Sequence, residues 1–215
     1  MGGLVDRVDD RDRVIGVVDR SEAVAAGWLY RMSMVLCRDK EGRYLVHRRP
    51  GSSSRFPGEY SWLVAGAVGA GESYAEAARR ELREEMGVRA SVRPLFTFLC
   101  RGELSPYWFA VHEATVGQEQ IAPQAAEVAW HGWLSGDELR DAMASWKFVS
   151  DSRDAYHRYV RLATDRRAET GRPVVSAARS YRASFRGAGG PRPDHGTGPP
   201  RPVTAVAAVS AAPSS

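Results

Sequence analysis

The order of apolar and polar positions predicts a mixture of strands and helices between residues 14 and 168. Short runs of β-branched and aromatic residues bounded by Gly, Pro, Asp or Ser are typical of strands, and longer segments with apolar residues every three or four positions are typical of helices. The predicted strands are 14–18, 28–37, 44–46, 95–99, 107–111 and 128–134. The predicted helices follow Ser73, extend from Ser135 to about Ser145, and extend from Asp151 to Arg167.

Composition places the chain among globular proteins, with 43% hydrophobic and 26% charged residues. No apolar run approaches the roughly 18–20 residues of a membrane helix. Residues 6–13 alternate acidic and basic side chains where a signal peptide would carry its apolar core. We therefore expect a cytoplasmic protein with no membrane segment. Its two cysteines, Cys37 and Cys100, are expected to be free thiols, with a disulfide as the alternative.

The net charge of +4 is distributed unevenly along the chain. Residues 171–215 contain six arginines and one acidic residue, so residues 1–170 are nearly neutral. Gly, Pro, Ala and Ser dominate that segment, which cannot bury enough apolar surface to offset its ordering entropy. We predict an N-terminal segment at 1–13, one domain at 14–168 and a disordered tail at 169–215. A basic arm that binds RNA or an acidic partner is the alternative for the tail, but nucleic acid is not the expected partner.

A glycine-rich loop followed by a helix is predicted between Gly66 and Val88. Ser73 precedes Glu76 by three positions, which is the spacing of a capping box at a helix start. Apolar residues then recur at helical spacing until Gly87, which occupies the position of a C-terminal glycine. The sequence thus predicts a loop that can approach a ligand closely, joined directly to a helix.

Three glutamates converge on one side of this predicted helix. Glu81 lies three positions before Glu84 and four before Glu85, so their side chains are neighbours on the helix surface. Carboxylates without a nearby His or Cys favour Mg²⁺ or Mn²⁺ over zinc. The alternative is a solvated acidic face that neighbouring arginines neutralise.

The same region resembles the Nudix box at nine positions spread over 23 residues. The matching residues are Gly66, Glu72, Arg80, Glu81, Leu82, Glu84, Glu85, Gly87 and Val88. The resemblance to the Nudix family implies an α/β/α sandwich, with a mixed β-sheet between helices, over about residues 14–168. It also implies a hydrolase that uses Mg²⁺ or Mn²⁺ to cleave a diphosphate linked to another group.

The resemblance assigns roles residue by residue. The residues implied to bind the metal ion are Glu81, Glu84 and Glu85. Those implied to brace the loop against the helix are Gly66, Glu72 and Arg80. A carboxylate must also accept a proton from the attacking water. The candidates for this catalytic role are Glu84, Glu85 and Glu127, and the alternative for Glu127 is an ordinary loop residue.

The sequence around the box resembles the branch of the family that includes isopentenyl-diphosphate isomerases. In that comparison the isomerase cysteine falls on Ala65, and two metal-binding histidines fall on Ala67 and Tyr30. Alanine neither transfers a proton nor binds metal, so we expect hydrolysis. An isomerase-like enzyme and a non-catalytic ligand sensor are the alternatives.

Three arginines before the loop are candidates for holding substrate phosphates, because guanidinium groups match phosphate oxygens. They are Arg48, Arg49 and Arg55. Arg48 and Arg49 lie on opposite faces of a predicted strand, so at most one of them points into the site. The expected partner is a small-molecule diphosphate, either a nucleoside diphosphate derivative or another organic diphosphate. A homodimer is left open.

Overall fold

The computed structural model describes residues 3–101 and 105–170, so the predicted tail beyond residue 170 lies outside the described residues. The strands are β1 (Leu4–Val8), β2 (Val14–Asp19), β3 (Arg31–Arg38), β4 (Tyr44–Arg48), β5 (Tyr60–Ser61), β6 (Val64–Ala67), β7 (Arg93–Cys100), β8 (Tyr107–Thr115) and β9 (Trp130–Leu134). The helices are α1 (Arg20–Ala26), α2 (Tyr74–Met86), α3 (Gly136–Ser145) and α4 (Ser150–Thr170), with a short 3-10 helix at Gln118–Gln120. The sequence pattern did not predict β1, α1, β5 or β6.

Seven strands form one mixed sheet. The main order is β5-β4-β3-β8-β7, with β6 paired to β3 and β9 paired to β4. The pairing of β3 with β8 is parallel, and the other pairs in this sheet are antiparallel. The mixed sheet implied by the family resemblance is confirmed.

Helices cover both faces of this sheet. Side chains alternate along β3, so Met34 and Leu36 belong to one apolar core and Val35 and Cys37 to the other. The apolar stripe of α2 packs into the second core through Ala78, Leu82 and Met86. Residues of α3 and α4 pack into the first core, namely Leu139, Ala142, Met143, Ala155 and Tyr159. The α/β/α sandwich is therefore confirmed.

The N-terminal hairpin of β1 and β2 forms a separate two-stranded sheet that contacts the glycine-rich loop. The amide of Ala70 donates to the carbonyl oxygen of Leu4 at 3.0 Å. The amide of Gly71 donates to Oδ1 of Asp6, whose side chain is buried, at 3.2 Å. Strand β1 thus holds the loop in place. The hydrophobic pattern did not predict β1 because the strand contains Asp6 and Arg7. Charged residues in a sequence indicate an exposed position, although Asp6 is in fact buried.

Two smaller predictions are also answered by the structure. Cys37 and Cys100 are buried thiols that form no disulfide, as predicted. Within 3–101 and 105–170, no helix combines the length and the apolar character that crossing a membrane requires.

Candidate active site

Local interactions define both ends of helix α2. At its start, the Ser73 amide donates to Glu76 Oε2 at 2.9 Å and the Glu76 amide donates to Ser73 Oγ at 3.3 Å, which completes the capping box. At its end, Gly87 has a φ of 71°, and a Cβ there would lie 2.7 Å from the carbonyl oxygen of Ala122. Glycine is required at this position by both backbone conformation and space.

Arg80 and Glu72 connect the helix to the glycine-rich loop. Arg80 donates from Nε to Glu72 Oε1 at 3.0 Å. Its Nη2 donates to Glu72 Oε2 at 2.9 Å and to the carbonyl oxygen of Ala67 at 2.8 Å. The amide of Gly69 also donates to Glu72, at 2.9 Å. Burial alone would raise the pKa of Glu72, but the hydrogen bonds from Arg80 and Gly69 lower it. This charged pair holds the loop against α2.

Glu81 lies against the backbone of strand β6. A Cβ on Gly66 would be 1.8 Å from Oε1 of Glu81, so only glycine leaves room for the carboxylate. The Glu81 carboxylate accepts a hydrogen bond from Arg80 at 2.5 Å. Burial raises the pKa of Glu81, and the hydrogen bond from Arg80 partly opposes that rise.

Glu85 is the buried carboxylate of the site. Its side chain accepts no hydrogen bond from any residue in the described part of the chain, although only 8% of the residue is exposed. Burial and the negative charge of Glu81 raise the pKa of Glu85 to about 8, while Arg49 opposes the rise. The charges of Glu127 and Glu84 act in the same direction as that of Glu81. The four carboxylates therefore lie close enough together for the charges of the other three to act on Glu85.

Glu84 and Glu127 occupy the exposed side of this region. Glu84 is paired with Arg80 at 3.4 Å and with Arg83 at 3.7 Å. Glu127 reaches the site because its loop is hydrogen-bonded to the end of α2. There the Gln124 amide donates to the carbonyl oxygen of Glu85 at 2.9 Å, and the Glu127 amide donates to the carbonyl oxygen of Gln124 at 3.0 Å.

All four glutamates line a single cleft of about 1370 Å³. Among the three predicted phosphate-binding arginines, Arg49 and Arg55 line it and Arg48 does not. Nε of Arg49 donates to the carbonyl oxygen of Arg55 at 3.0 Å, so these two residues are held together. The buried residues of the cleft include several apolar and aromatic side chains, among them Tyr30, Met34, Leu63 and Phe109.

Arg20 also lines the cleft, and the sequence pattern did not single it out. Its guanidinium lies near Glu81, whose pKa its charge lowers. Its guanidinium contacts the Met32 thioether sulfur at 3.9 Å, and Nε is buried without a hydrogen-bond partner among the described residues. The signal that could have found it is Asp19, a capping residue directly before an apolar helical segment, which places Arg20 at the start of α1.

The donor set suits a hard divalent cation in its chemistry. The Glu85 carboxylate is buried and accepts no hydrogen bond, and the Glu81 carboxylate lies in the space that Gly66 leaves. Carboxylate oxygens are ligands that Mg²⁺ and Mn²⁺ prefer. Across 3–101 and 105–170, however, no three His, Cys, Asp or Glu side chains are already arranged to hold a metal ion. Arg80 bonds both Glu81 and Glu84, so a cation would have to compete with Arg80 for them.

Comparison with known proteins places this chain in one family. The chain matches the NUDIX domain over residues 29–159. It belongs to the Nudix family. A Nudix hydrolase of Streptomyces coelicolor, described as uncharacterized, is 45% identical over 158 residues, which cover 72% of this chain and 87% of that protein. A crystal structure of a Deinococcus radiodurans protein matches with a TM-score of 0.62 and 29% identity, covering 72% of this chain and 98% of that one.

Two relatives of this Nudix protein have more specific names. A prenyl-diphosphate phosphatase of Methanosarcina mazei is 28% identical over 143 residues, covering 65% of this chain and 84% of the relative. An isopentenyl-diphosphate Delta-isomerase of Burkholderia multivorans is 30% identical over 141 residues, covering 64% and 80%. The resemblance to the branch that includes isomerases is confirmed. Ala65, Ala67 and Tyr30, the residues that the sequence analysis expects at the isomerase positions, all line the cleft of this chain.

Proposed function

We propose that this Nudix protein is a metal-dependent hydrolase that cleaves the diphosphate linkage of a nucleoside diphosphate derivative or another organic diphosphate. The observation that carries the proposal is the buried, unbonded carboxylate of Glu85 beside three other carboxylates in a cleft that arginines also line. Burying a carboxylate among like charges destabilises its ionised form. A cation bound between the carboxylates would stabilise their ionised forms, because its positive charge offsets their repulsion.

Glu81, Glu84 and Glu85 would hold Mg²⁺ or Mn²⁺. When bound, such an ion neutralises charge on the diphosphate oxygens and lowers the pKa of a water molecule. The chain positions the three carboxylates by placing them on one side of α2 and by leaving room for Glu81 at Gly66. Arg80, bonded to Glu72 and Ala67, keeps that side of the helix next to the loop.

We assign the acceptance of the water's proton to Glu127. Glu84 is paired with Arg80, and Glu85 is buried, so neither of them is an unpaired carboxylate at the open side of the cleft. Glu127 is exposed in the cleft and makes no ion pair with the residues that the structure describes. An unpaired carboxylate at the open side of the site can accept a proton and release it to solvent.

Arg49, Arg55 and Arg20 would bind the phosphates. Arg49 and Arg55 come from the segment around β4, whereas Arg20 comes from the start of α1. Guanidinium groups make strong hydrogen bonds with phosphate oxygens because their donors are charged and fixed in a plane. Three such groups would grip a diphosphate from separate parts of the chain.

The buried side chains that line the cleft indicate which organic groups of a substrate it could bind. Tyr30, Met34, Leu63 and Phe109 offer apolar and aromatic surface, and His47, Ser61 and Ser152 add buried polar groups to the same lining. A relative is named a prenyl-diphosphate phosphatase. Prenyl diphosphates are therefore the first class to test, followed by nucleoside diphosphate derivatives, whose flat bases could stack on the aromatic residues.

The test is phosphate release with Mg²⁺ or Mn²⁺. The substrates are prenyl diphosphates, nucleoside di- and triphosphates, ADP-ribose, dinucleotide cofactors and diphosphosugars. A pyrophosphatase is added for the triphosphates, and a phosphatase is added only for ADP-ribose, dinucleotides and diphosphosugars, whose diphosphate is not terminal. The inactive control is Glu85→Gln, and the matched control is Glu41→Gln, because Glu41 is exposed and lies outside the cleft. We expect metal-dependent turnover in the wild type and Glu41→Gln only. Equal turnover in Glu85→Gln would exclude the proposed site.

An isomerase-like activity is the second candidate, because isomerases are among the relatives. The side chains of Ala65 and Ala67 supply neither a proton-transferring group nor a metal ligand. Incubation with isopentenyl diphosphate distinguishes the two reactions. Hydrolysis releases phosphate, whereas isomerisation moves the double bond and leaves the diphosphate intact. Binding of a diphosphate with neither reaction would instead indicate a ligand sensor. The cytoplasmic location expected from the sequence stays a prediction.

A further inference from the structure

Strand β2 has an exposed apolar surface that the proposed site does not use. Five large apolar side chains are exposed in the described part of the chain, and four of them belong to the β1–β2 hairpin. They are Leu4, Val14, Ile15 and Val17. Ile15 is 57% exposed and Val17 is 55% exposed. Because exposed residues follow one another from Val14 to Val17, both faces of this part of β2 contact solvent.

The outer edge of β2 is also unpaired among the described residues. Strand β2 pairs with β1 only, while β1 is hydrogen-bonded on its other side to the glycine-rich loop through Leu4. An unpaired edge presents backbone N–H and C=O groups that can pair with another strand. Residues 14–18 contain no charged residue and no proline, the features that usually protect an exposed edge.

We propose that β2 pairs antiparallel with β2 of a second copy of this chain, across a two-fold axis at Gly16. This pairing places Ile15 opposite the partner's Val17, so exposed apolar residues meet on both sides of the axis. It also places Arg13, which is paired with Asp9 of its own chain, opposite the partner's Asp19, which caps α1, and the symmetry repeats this juxtaposition at the other end. The edge is uncharged in its middle and carries opposite charges at its ends, a pattern that is complementary to itself in antiparallel orientation.

Gly16 allows a direct test of this register. Opposed Cα atoms of antiparallel strands are about 4.5–5.5 Å apart, within the roughly 4.4–6.8 Å range of disulfides. A Cβ at Gly16 would meet no atom of its own chain within 4 Å. Gly16→Cys is therefore expected to fold, and two such residues would face each other across the axis. The native cysteines Cys37 and Cys100 are buried and do not compete.

The experiment is mild oxidation of full-length cysteine variants, followed by non-reducing electrophoresis. We expect Gly16→Cys to form a covalent dimer and the equally exposed Ile15→Cys and Val17→Cys to remain largely monomeric. The double variant Ile15→Cys with Val17→Cys should cross-link again, because those two positions oppose each other. Cross-linking of the single variants at Ile15 or Val17 as readily as Gly16→Cys would overturn this register.

A second measurement does not depend on a disulfide. Light scattering during size-exclusion chromatography should give a wild-type mass that rises to twice that of the monomer with concentration. Replacing both Ile15 and Val17 by lysine places positive charges opposite each other and should leave a monomer. A wild type that stays monomeric at high concentration would overturn the proposal, whatever else the edge binds. No residue from 14 to 17 lines the cleft, so this outcome would leave the proposed hydrolase unaffected.

Discussion

The Glu81 carboxylate occupies the space that a side chain at residue 66 would need. A Cβ on Gly66 would lie 1.8 Å from Oε1 and 2.4 Å from Oε2 of Glu81, far closer than non-bonded atoms can approach. Gly66 and Glu81 come from different elements, strand β6 and helix α2, and meet at the centre of the site. The absence of a side chain at Gly66 is thus the reason that Glu81 can lie against the sheet.

Replacing Gly66 by alanine should displace Glu81 and reduce turnover by about 10²-fold, because a shift of about 1 Å at a catalytic group has an effect of that size. The matched control is Gly69→Ala in the same loop, where the nearest atom to an added Cβ is 3.4 Å away. Metal-dependent phosphate release and thermal unfolding of both variants are the measurements. Wild-type turnover in Gly66→Ala would show that the position of Glu81 does not matter.

Glu127→Gln tests the assignment of the proton acceptor. We expect kcat to fall by about 10²–10⁴-fold, since removing a general base has effects in that range. Binding of Mn²⁺ in the absence of substrate should be unchanged, because Glu127 is not one of the proposed metal ligands. Calorimetry with Mn²⁺ provides the second readout, and Glu81→Gln is the variant expected to weaken it. A loss of Mn²⁺ binding in Glu127→Gln would make Glu127 a ligand instead.

Arg20→Met tests whether Arg20 binds the substrate. A hydrogen bond to a charged group contributes about 1.5–3 kcal/mol, so KM should rise by roughly tenfold or more. Methionine keeps the aliphatic part of the side chain beside Met32, and Arg20→Lys should restore part of the affinity. The control is Arg79→Met, because Arg79 is exposed on α2 and does not line the cleft. An unchanged KM in Arg20→Met would exclude the contact.

His47→Gln tests a source of acid sensitivity. Burial, with the charge of Arg49 and the facing His131, lowers the pKa of His47 from 6.5 to about 3. Between these values the unfolded chain gains a proton at His47 and the folded protein does not. Stability is therefore lost as the pH falls through this window, by about 1.4 kcal/mol per pH unit.

The measurement is urea unfolding at about pH 6 and about pH 4, inside that window. Stability should fall less between the two values in His47→Gln than in the wild type. His157→Gln, at an exposed position, should behave like the wild type. The other titratable groups are the same in His47→Gln and the wild type, so the difference between these two proteins isolates His47. Parallel losses in His47→Gln and the wild type would contradict the expected role.

The strands that the sequence pattern missed are short or contain charged residues. In β1, Asp6 is buried because it accepts the amide of Gly71, a contact between segments far apart in the chain. In β6, the sequence Val64-Ala-Gly-Ala looks like part of a loop, yet it pairs with β3 from Met32 to Val35. Tertiary contacts decided both cases, since neither segment carries the alternation that identifies a strand by itself.

The sequence by itself determined the loop, the helix α2 and the one-sided arrangement of Glu81, Glu84 and Glu85. Helix caps and neighbours three or four positions apart depend only on local geometry, so spacing alone predicts them. Only the tertiary structure decided that Arg49, and not Arg48, lines the cleft, and that Arg20 and the Glu127 loop join the same cleft. These residues come together through sheet pairing and packing between distant segments, and those contacts leave no periodic signal along the chain.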